Sequence, residues 1–576
     1  MTGSRWPDKL FGMRARRVPF LLLILVLAGS RPAVAAADPF DDLARDVWAW
    51  RAATQPSSGD DIPRIDRPPN WRPDWSPAAV AARRATLADF TRRHQAIATS
   101  GWPVARQVDY RLIGSLLARV RWELDGAPAW RRDPAFYIQQ ALGPVFDVLL
   151  PPPPVGPARA DLVLARLAHV PVIVEQARQN LDDTRAPFAR LAIDTLGDID
   201  TRLSTFAREL DTAVPSHRGR FAAPAATAAA ALVELRRWLE SRVATMPGDT
   251  TVGRDAYVTF LREVALVPFT PEEIVAMGRQ EWERAVAFEA LEQGRNRALP
   301  QMTIFPDADA QVTTSAAQER DIRTFLEREG LLTVPPWLGH YLNLLLPPYL
   351  APIAFLGVTD DLTGPSRLSD NGYSYIRAPR PDLPYFYLST ARDPRPIIVH
   401  EGVPGHYMQL AIAWAHENPI RRHYYDSGAN EGLGFYAEEM MLQAGLWHDS
   451  PRSREIIYNF ARLRALRVEV DVKLATGLFT IPQAAEYLEK TVPMDAATAL
   501  EEAASFAAGP GQAITYQTGK LQVTSLLAEA RRAEGARFSL RAFHDYVWKN
   551  GNVPLALLRW ELLADRRDVD RLATLK

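Results

Sequence analysis

His400-Glu401-Gly402-Val403-Pro404-Gly405-His406 places two imidazoles and a carboxylate within seven residues, in a chain of 576 residues with 10 histidines and no cysteine. Neutral imidazole is a common zinc ligand, and a glutamate beside a ligating histidine can act as the base for a metal-bound water. The spacing differs from the HExxH pattern, in which histidines at i and i+4 share one helical face. Here they stand at i and i+6, about 120° apart on an ideal helix. Pro404 answers the mismatch. It has no N–H, and its ring clashes with the carbonyl four residues back, that of His400. Gly402 and Gly405 let the backbone kink or bulge at the same point. The stretch therefore predicts a helix broken at Val403-Pro404-Gly405, with His406 turned back toward His400. The apolar run Tyr407 to Trp414 predicts a buried helix directly after it.

A third ligand must come from elsewhere in the chain, and the absence of cysteine removes thiolates from the choice. The downstream segment Asn430-Glu431-Gly432-Leu433-Gly434-Phe435-Tyr436-Ala437-Glu438-Glu439 offers carboxylates. Two histidines and one glutamate make the His₂Glu set of a catalytic zinc site, with a fourth position for water. Glu431, Glu438 and Glu439 compete for this place. Glu438 lies about two helical turns after Glu431, so it faces the same way and also suits the task of orienting a ligand histidine from behind. Glu401, next to His400 in sequence, is badly placed to bind the same ion and is the candidate general base.

Taken together, HEGxPGH at 400–406, EGxxxYAEE at 431–439 and Gly509-Pro510-Gly511-Gln512-Ala513-Ile514-Thr515-Tyr516-Gln517-Thr518-Gly519 resemble the bacterial DUF885 family. The resemblance runs from about Leu43 to the C-terminus and takes in Val108-Asp109-Tyr110-Arg111, Thr270-Pro271-Glu272-Glu273 and His544-Asp545. It implies a mostly α, large two-lobed helical zincin-like fold with a central cleft. That architecture is similar to the angiotensin-converting enzyme, thimet oligopeptidase and carboxypeptidase Taq group. The lobes implied are 38–310 and 311–576, the second carrying the metal site. The resemblance also implies one Zn²⁺ ion held by His400, His406 and Glu431, the glutamate that matches the family's motif. By the same analogy a C-terminal tyrosine or histidine donates to the oxyanion: Tyr516 first, since the glycines before it allow close approach to substrate, and His544 second. Gln512 is then a candidate for binding substrate backbone.

The N-terminus reads as a targeting segment. Arg14, Arg16 and Arg17 precede the apolar run Phe20 to Ala28, and Ala33-Val34-Ala35 forms a small-residue cleavage site. The run is short of the ~20 residues of a membrane span. Residues 1–37 are therefore expected to be a signal peptide and 38–576 a mature periplasmic or secreted chain without stable membrane insertion. The 67 basic and 68 acidic residues nearly cancel, and no zinc-finger, RRM or basic-helix pattern appears, so nucleic acid is not expected as a partner. From Pro39 to about Thr250 the apolar spacing is helical, and Thr270-Pro271-Glu272-Glu273 predicts a capping box opening another helix. Between about Tyr341 and Pro396 the texture changes. Gly372-Tyr373-Ser374-Tyr375-Ile376 and Tyr385-Phe386-Tyr387-Leu388-Ser389 are rich in β-favouring residues and predict a small β-sheet before the metal-binding helix. Tyr373, Tyr375, Tyr387 and Arg377 from this region are candidates for lining the cleft.

These readings converge on an exported zinc-dependent metallopeptidase acting on short peptides, with Glu401 as general base. The alternatives are a zinc-dependent amidohydrolase for a non-peptide amide, such as an N-acyl amino acid or cell-wall fragment, and a catalytically silent helical binding protein. Intact Glu401 argues against the last.

Overall fold

The computed structural model describes residues 38–58, 65–492 and 494–576. The expected signal peptide, residues 1–37, lies outside the described residues. The chain is mostly α. Its helices start where local chemistry says they should. Thr270 accepts the Glu273 N–H at 3.3 Å while the Glu273 carboxylate accepts the Thr270 N–H at 2.8 Å, the predicted capping box, with Pro271 at the first helical position. Asp38, Asp133, Asp307, Asp426 and Asp495 cap other helices through their carboxylates. The proline run at 151–154 separates the Pro134–Leu149 and Pro157–Leu167 helices.

The helix Pro271–Arg295 lies along Pro451–Thr476, and Gly278 is what lets them approach: a Cβ there would stand 3.0 Å from Val468 Cβ. The largest core cluster runs from Phe40 to Leu572, so packing is continuous across position 310. Among the described residues no helix is long and apolar enough to cross a membrane.

The small sheet is present, with a different membership from the one expected. Its strands are β1 (Tyr341–Leu345), β2 (Asp360–Asp361) and β3 (Gly372–Ile376), in the order β1-β3-β2; β1 runs parallel and β2 antiparallel to β3. Gly372–Ile376 is a strand as read. Tyr385–Thr390 is instead a short helix. Pro384 stands at its N-cap, and the Ser389 and Thr390 hydroxyls donate to the carbonyls four residues back. Tyr385 and Phe386 pack edge-on and against Phe460. Tertiary burial of these rings outweighs their β preference, which is weak and dependent on context.

The helices that carry the chemistry cross at glycines. Ser427–Ala444 packs on Thr515–Glu534, and a Cβ on Gly519 would stand 2.1 Å from the Gly428 carbonyl oxygen and 2.6 Å from Gly432 Cα. Both obstacles are backbone, so no side-chain rotation relieves the clash. Gly519→Ala is expected to lower stability by about 1–3 kcal/mol or more, the usual range for overpacking. Chemical denaturation measures it; a variant as stable as the parent would show that the crossing is looser than described.

Candidate metal centre

The 400–406 stretch does what its residues predict, through a specific local form. Ile398–Gly402 is a π-helical turn; Val403 then leaves the helical region (φ −128°, ψ 120°), Gly405 is the N-cap, and His406 is the first residue of the His406–Trp414 helix. A Cβ on Gly405 would stand 1.8 Å from the His400 carbonyl oxygen, so only glycine fits this turn. A Cβ on Gly402 would stand 2.5 Å from the Tyr341 ring. The Trp548 indole N–H donates to the Pro404 carbonyl at 2.8 Å and anchors the break to the C-terminal region. The two imidazoles end 4.7 Å apart between centroids, at 74°.

Glu431 reaches them from the Ser427–Ala444 helix. Its Oε2 lies 3.3 Å from His400 Nε2 and 3.2 Å from His406 Nε2. One ligand atom from each of the three residues falls within 4.8 Å of the others, and all three are buried. Bonds of 2.0–2.1 Å in tetrahedral geometry put neighbouring ligand atoms about 3.3 Å apart. Both Glu431 edges match that figure and the third lies within 4.8 Å, so the three side chains could hold a tetrahedral zinc ion with one further position. His406 Nδ1 is buried without a hydrogen-bond partner. Gly434 makes room for the rings: a Cβ there would stand 2.9 Å from His400 Cε1.

The carboxylates differ in environment. Burial works against ionising Glu431, but the neighbouring His406 and His400 outweigh it and hold the carboxyl well below its usual range. Glu401, with Oε2 3.8 Å from His406 Nε2, is pushed up to about 7, chiefly by burial. Its side chain is nonetheless 23% exposed and lines the cleft described below. Glu438 does not join the ligand cluster; its Oε1 lies 2.7 Å from Nδ1 of His400, on the far side of the ring. Glu439 turns away and pairs with Arg284 and Lys520.

His400 and Glu401 open onto a cleft of about 2760 Å³. Tyr516, Gln512, Tyr375, Tyr387 and Arg377 are among the residues that line it. The Tyr516 ring is stacked on His400 at 6.2 Å and 16°, with the Arg467 guanidinium 4.8 Å from its centroid. The loop before Tyr516 is held by Asp471, whose carboxylate accepts the N–H groups of Gly511 (2.9 Å) and Ala513 (2.8 Å) and the Tyr257 hydroxyl (3.0 Å). Gly511 has φ +93°, and a Cβ there would meet the Phe260 ring at 2.1 Å. The Tyr375 hydroxyl donates to the carbonyl of Leu150, which also lines the cleft. Arg377 stacks on Tyr387 at 4.6 Å.

Two expected residues are not brought here. His544 is fully buried with both nitrogens engaged. Its Nδ1–H donates to the Leu331 carbonyl at 2.7 Å, which leaves Nε2 to accept from the Tyr436 hydroxyl at 2.8 Å. It is a core histidine rather than an oxyanion donor. Tyr373 is not among the cleft-lining residues. It sits in the middle of the sheet, opposite Leu342 of β1 and Asp361 of β2, with its hydroxyl accepting from Asn371 at 3.5 Å.

Sequence reasoning missed Asp360, which lines the cleft from β2 and accepts the Tyr341 hydroxyl at 2.7 Å, and the pair Arg464 and Arg467 from the Pro451–Thr476 helix. The arginines lie three apart on one helical face, a spacing too common to single out.

The family model "Bacterial protein of unknown function (DUF885)" matches residues 68–324 and 350–562. Among solved structures, a "putative lipoprotein of unknown function" from Shewanella oneidensis is 18% identical with a TM-score of 0.65, covering 91% of this chain and 98% of its own. A "putative lipoprotein" from Colwellia psychrerythraea is 16% identical with a TM-score of 0.68, covering 92% of this chain and 99% of its own. At such identities the likeness carries the fold alone. No curated protein matches. The two matched segments make up most of the chain and include all three side chains of the ligand cluster, and the protein belongs to the DUF885 family.

Proposed function

We propose that this protein is a zinc-dependent hydrolase of short peptides that works outside the cytoplasm. The observation that carries the reading is the convergence of His400, His406 and Glu431 beside a cleft-facing Glu401. His400, His406 and Glu431 would hold the ion, which when bound supplies Lewis-acid polarisation and a water acidic enough to ionise near pH 7. Glu401 accepts the proton of the attacking water and delivers it to the leaving amine nitrogen. Its environment favours a carboxyl that both takes and gives a proton near neutrality. The Tyr516 hydroxyl donates to the oxygen that gains charge as the amide is attacked. The size of the cleft supports a peptide rather than a small amide, since drug-sized ligands occupy about 300–1,000 Å³. The basic and apolar leader, together with the lipoprotein titles of the two similar structures, supports an exported location.

The test is a mixed library of short peptides incubated with zinc-loaded protein, with and without a chelator. Cleavage that the chelator abolishes and added zinc restores is expected. A folded, zinc-loaded protein that cleaves no peptide but releases acid from N-acyl amino acids would move the reading to a non-peptide amide. Cleavage of neither would leave a binding protein.

A further inference from the structure

Behind His400, away from the ligand cluster, stands a second layer of charge. Glu438 is 0% exposed, Arg464 3% and His400 2%. Glu438 Oε1 lies 2.7 Å from His400 Nδ1 and 3.0 Å from Arg464 Nη2. The three groups thus form a line, Arg464 to Glu438 to His400, that starts on the Pro451–Thr476 helix, passes through the Ser427–Ala444 helix and ends on the π-helical turn. The contacts are at ion-pair distance but not aligned as hydrogen bonds: both Glu438 oxygens, His400 Nδ1, and Arg464 Nε and Nη1 are buried without a hydrogen-bond partner. Among the described residues Glu438 makes no other ion pair, and neither does Arg464.

The surroundings hold the guanidinium in this place. It lies 5.2 Å from the Phe460 ring centroid and 5.9 Å from that of Tyr516, aromatic faces that attract a cation and offer no competing carboxylate. A buried Arg–Glu pair is weak evidence for a contribution to stability, because desolvation of both ions offsets their attraction. A pair so placed has a better account in the imidazole it touches. A metal-ligating histidine keeps its orientation when its other ring nitrogen meets a carboxylate, and that carboxylate must itself be held.

We infer that Arg464 is a positioning residue of the metal centre: it holds the Glu438 carboxylate against Nδ1 of His400, so that Nε2 of His400 presents its lone pair toward Glu431 and His406. The inference rests on the reading of those three side chains as metal ligands. Arg464 lines the wall of the cleft, but its ion pair is with Glu438 and not with any of the three ligand side chains, so it acts on the metal centre through Glu438. Its neighbour Arg467 has a different partner, a bidentate contact with Glu502 at 2.6 Å, and is not part of the line.

The test uses the full mature chain and zinc alone, with no substrate. Zinc affinity is measured by competition with a chromophoric chelator in the parent, Arg464→Met, Arg464→Lys, Glu438→Gln and the double variant Arg464→Met/Glu438→Gln. Arg464→Met is expected to weaken zinc binding by about 10–100-fold, the usual effect of removing a group that supports a ligand. Arg464→Lys, which keeps the charge, recovers most of the loss. On the Glu438→Gln background Arg464→Met adds less than about threefold, because its path to the metal is already cut. The visible absorption of the Co²⁺-loaded protein shifts in Arg464→Met and returns toward the parent in Arg464→Lys, which a general loosening of the fold would not produce. If Arg464→Met does not fold, the comparison of Arg464→Lys with and without Glu438→Gln reads the same coupling. A parent chain that binds no zinc overturns the ligand reading itself. A parent that binds zinc while a folded Arg464→Met binds it equally well, with an unchanged Co²⁺ spectrum, overturns the role of Arg464 alone. Full additivity in the double variant overturns the path through Glu438.

Discussion

Glu401→Gln is expected to lower peptide hydrolysis by about 10²–10⁴-fold, the contribution of general-base catalysis, while zinc content stays close to that of the parent. The substitution keeps the size and hydrogen-bonding reach of the side chain but removes the site that takes a proton. Glu401 suits that task by position. It follows His400 on the π-helical turn, so it cannot share the inward direction of its neighbour, and its carboxylate lies on the cleft side, 3.8 Å from His406 Nε2. Tyr516→Phe makes the companion measurement. It should retain zinc and lose roughly 10²-fold in kcat, as removal of one oxyanion donor does. Metal content by elemental analysis and rate on the best library peptide are read on the same samples. Loss of zinc in Glu401→Gln would show that this carboxylate is a ligand and not a base.

Glu431→Gln should act in the opposite order, on metal first and on rate through metal. Among the described residues the Glu431 carboxylate is the only anion that touches both imidazoles through their Nε2 atoms, at 3.3 and 3.2 Å. Its replacement leaves two buried imidazoles and a neutral amide where a divalent cation would sit. We expect zinc affinity to fall by more than the roughly 10–100-fold caused by losing a group that only supports a ligand, and hydrolysis to fall with zinc occupancy. Excess zinc should restore part of the rate in Glu431→Gln and none in Glu401→Gln. A Glu431→Gln protein that binds zinc as the parent does would reject the ligand set and make Glu438 the next carboxylate to test.

What the sequence alone determined was decided within a few residues of itself. Pro404 has no N–H and crowds the His400 carbonyl, and Gly405 is hemmed in by that same carbonyl, so the break at 403–405 and the return of His406 follow from covalent chemistry. The capping box at Thr270 is local in the same sense. Glu431 was one of three carboxylates by spacing, because one turn more or less on a helix offers near neighbours; family resemblance favoured it, and the geometry sets it on the imidazoles while turning Glu438 to the far side of His400 and Glu439 to Arg284 and Lys520. The remainder only the tertiary structure decided. Tyr385–Thr390 carries β-favouring residues yet is helical, since Phe460, seventy-odd positions on, receives its rings. His544 stands in a motif that resembles the family's, but its two nitrogens are taken by Leu331 and Tyr436 from distant segments. Arg464 is one arginine on a long helix until packing sets it beside Glu438. The physical reason is common to all three. Local rules act over one or two turns of backbone, whereas a buried polar group takes its role from whichever partner the packing of remote helices leaves within reach.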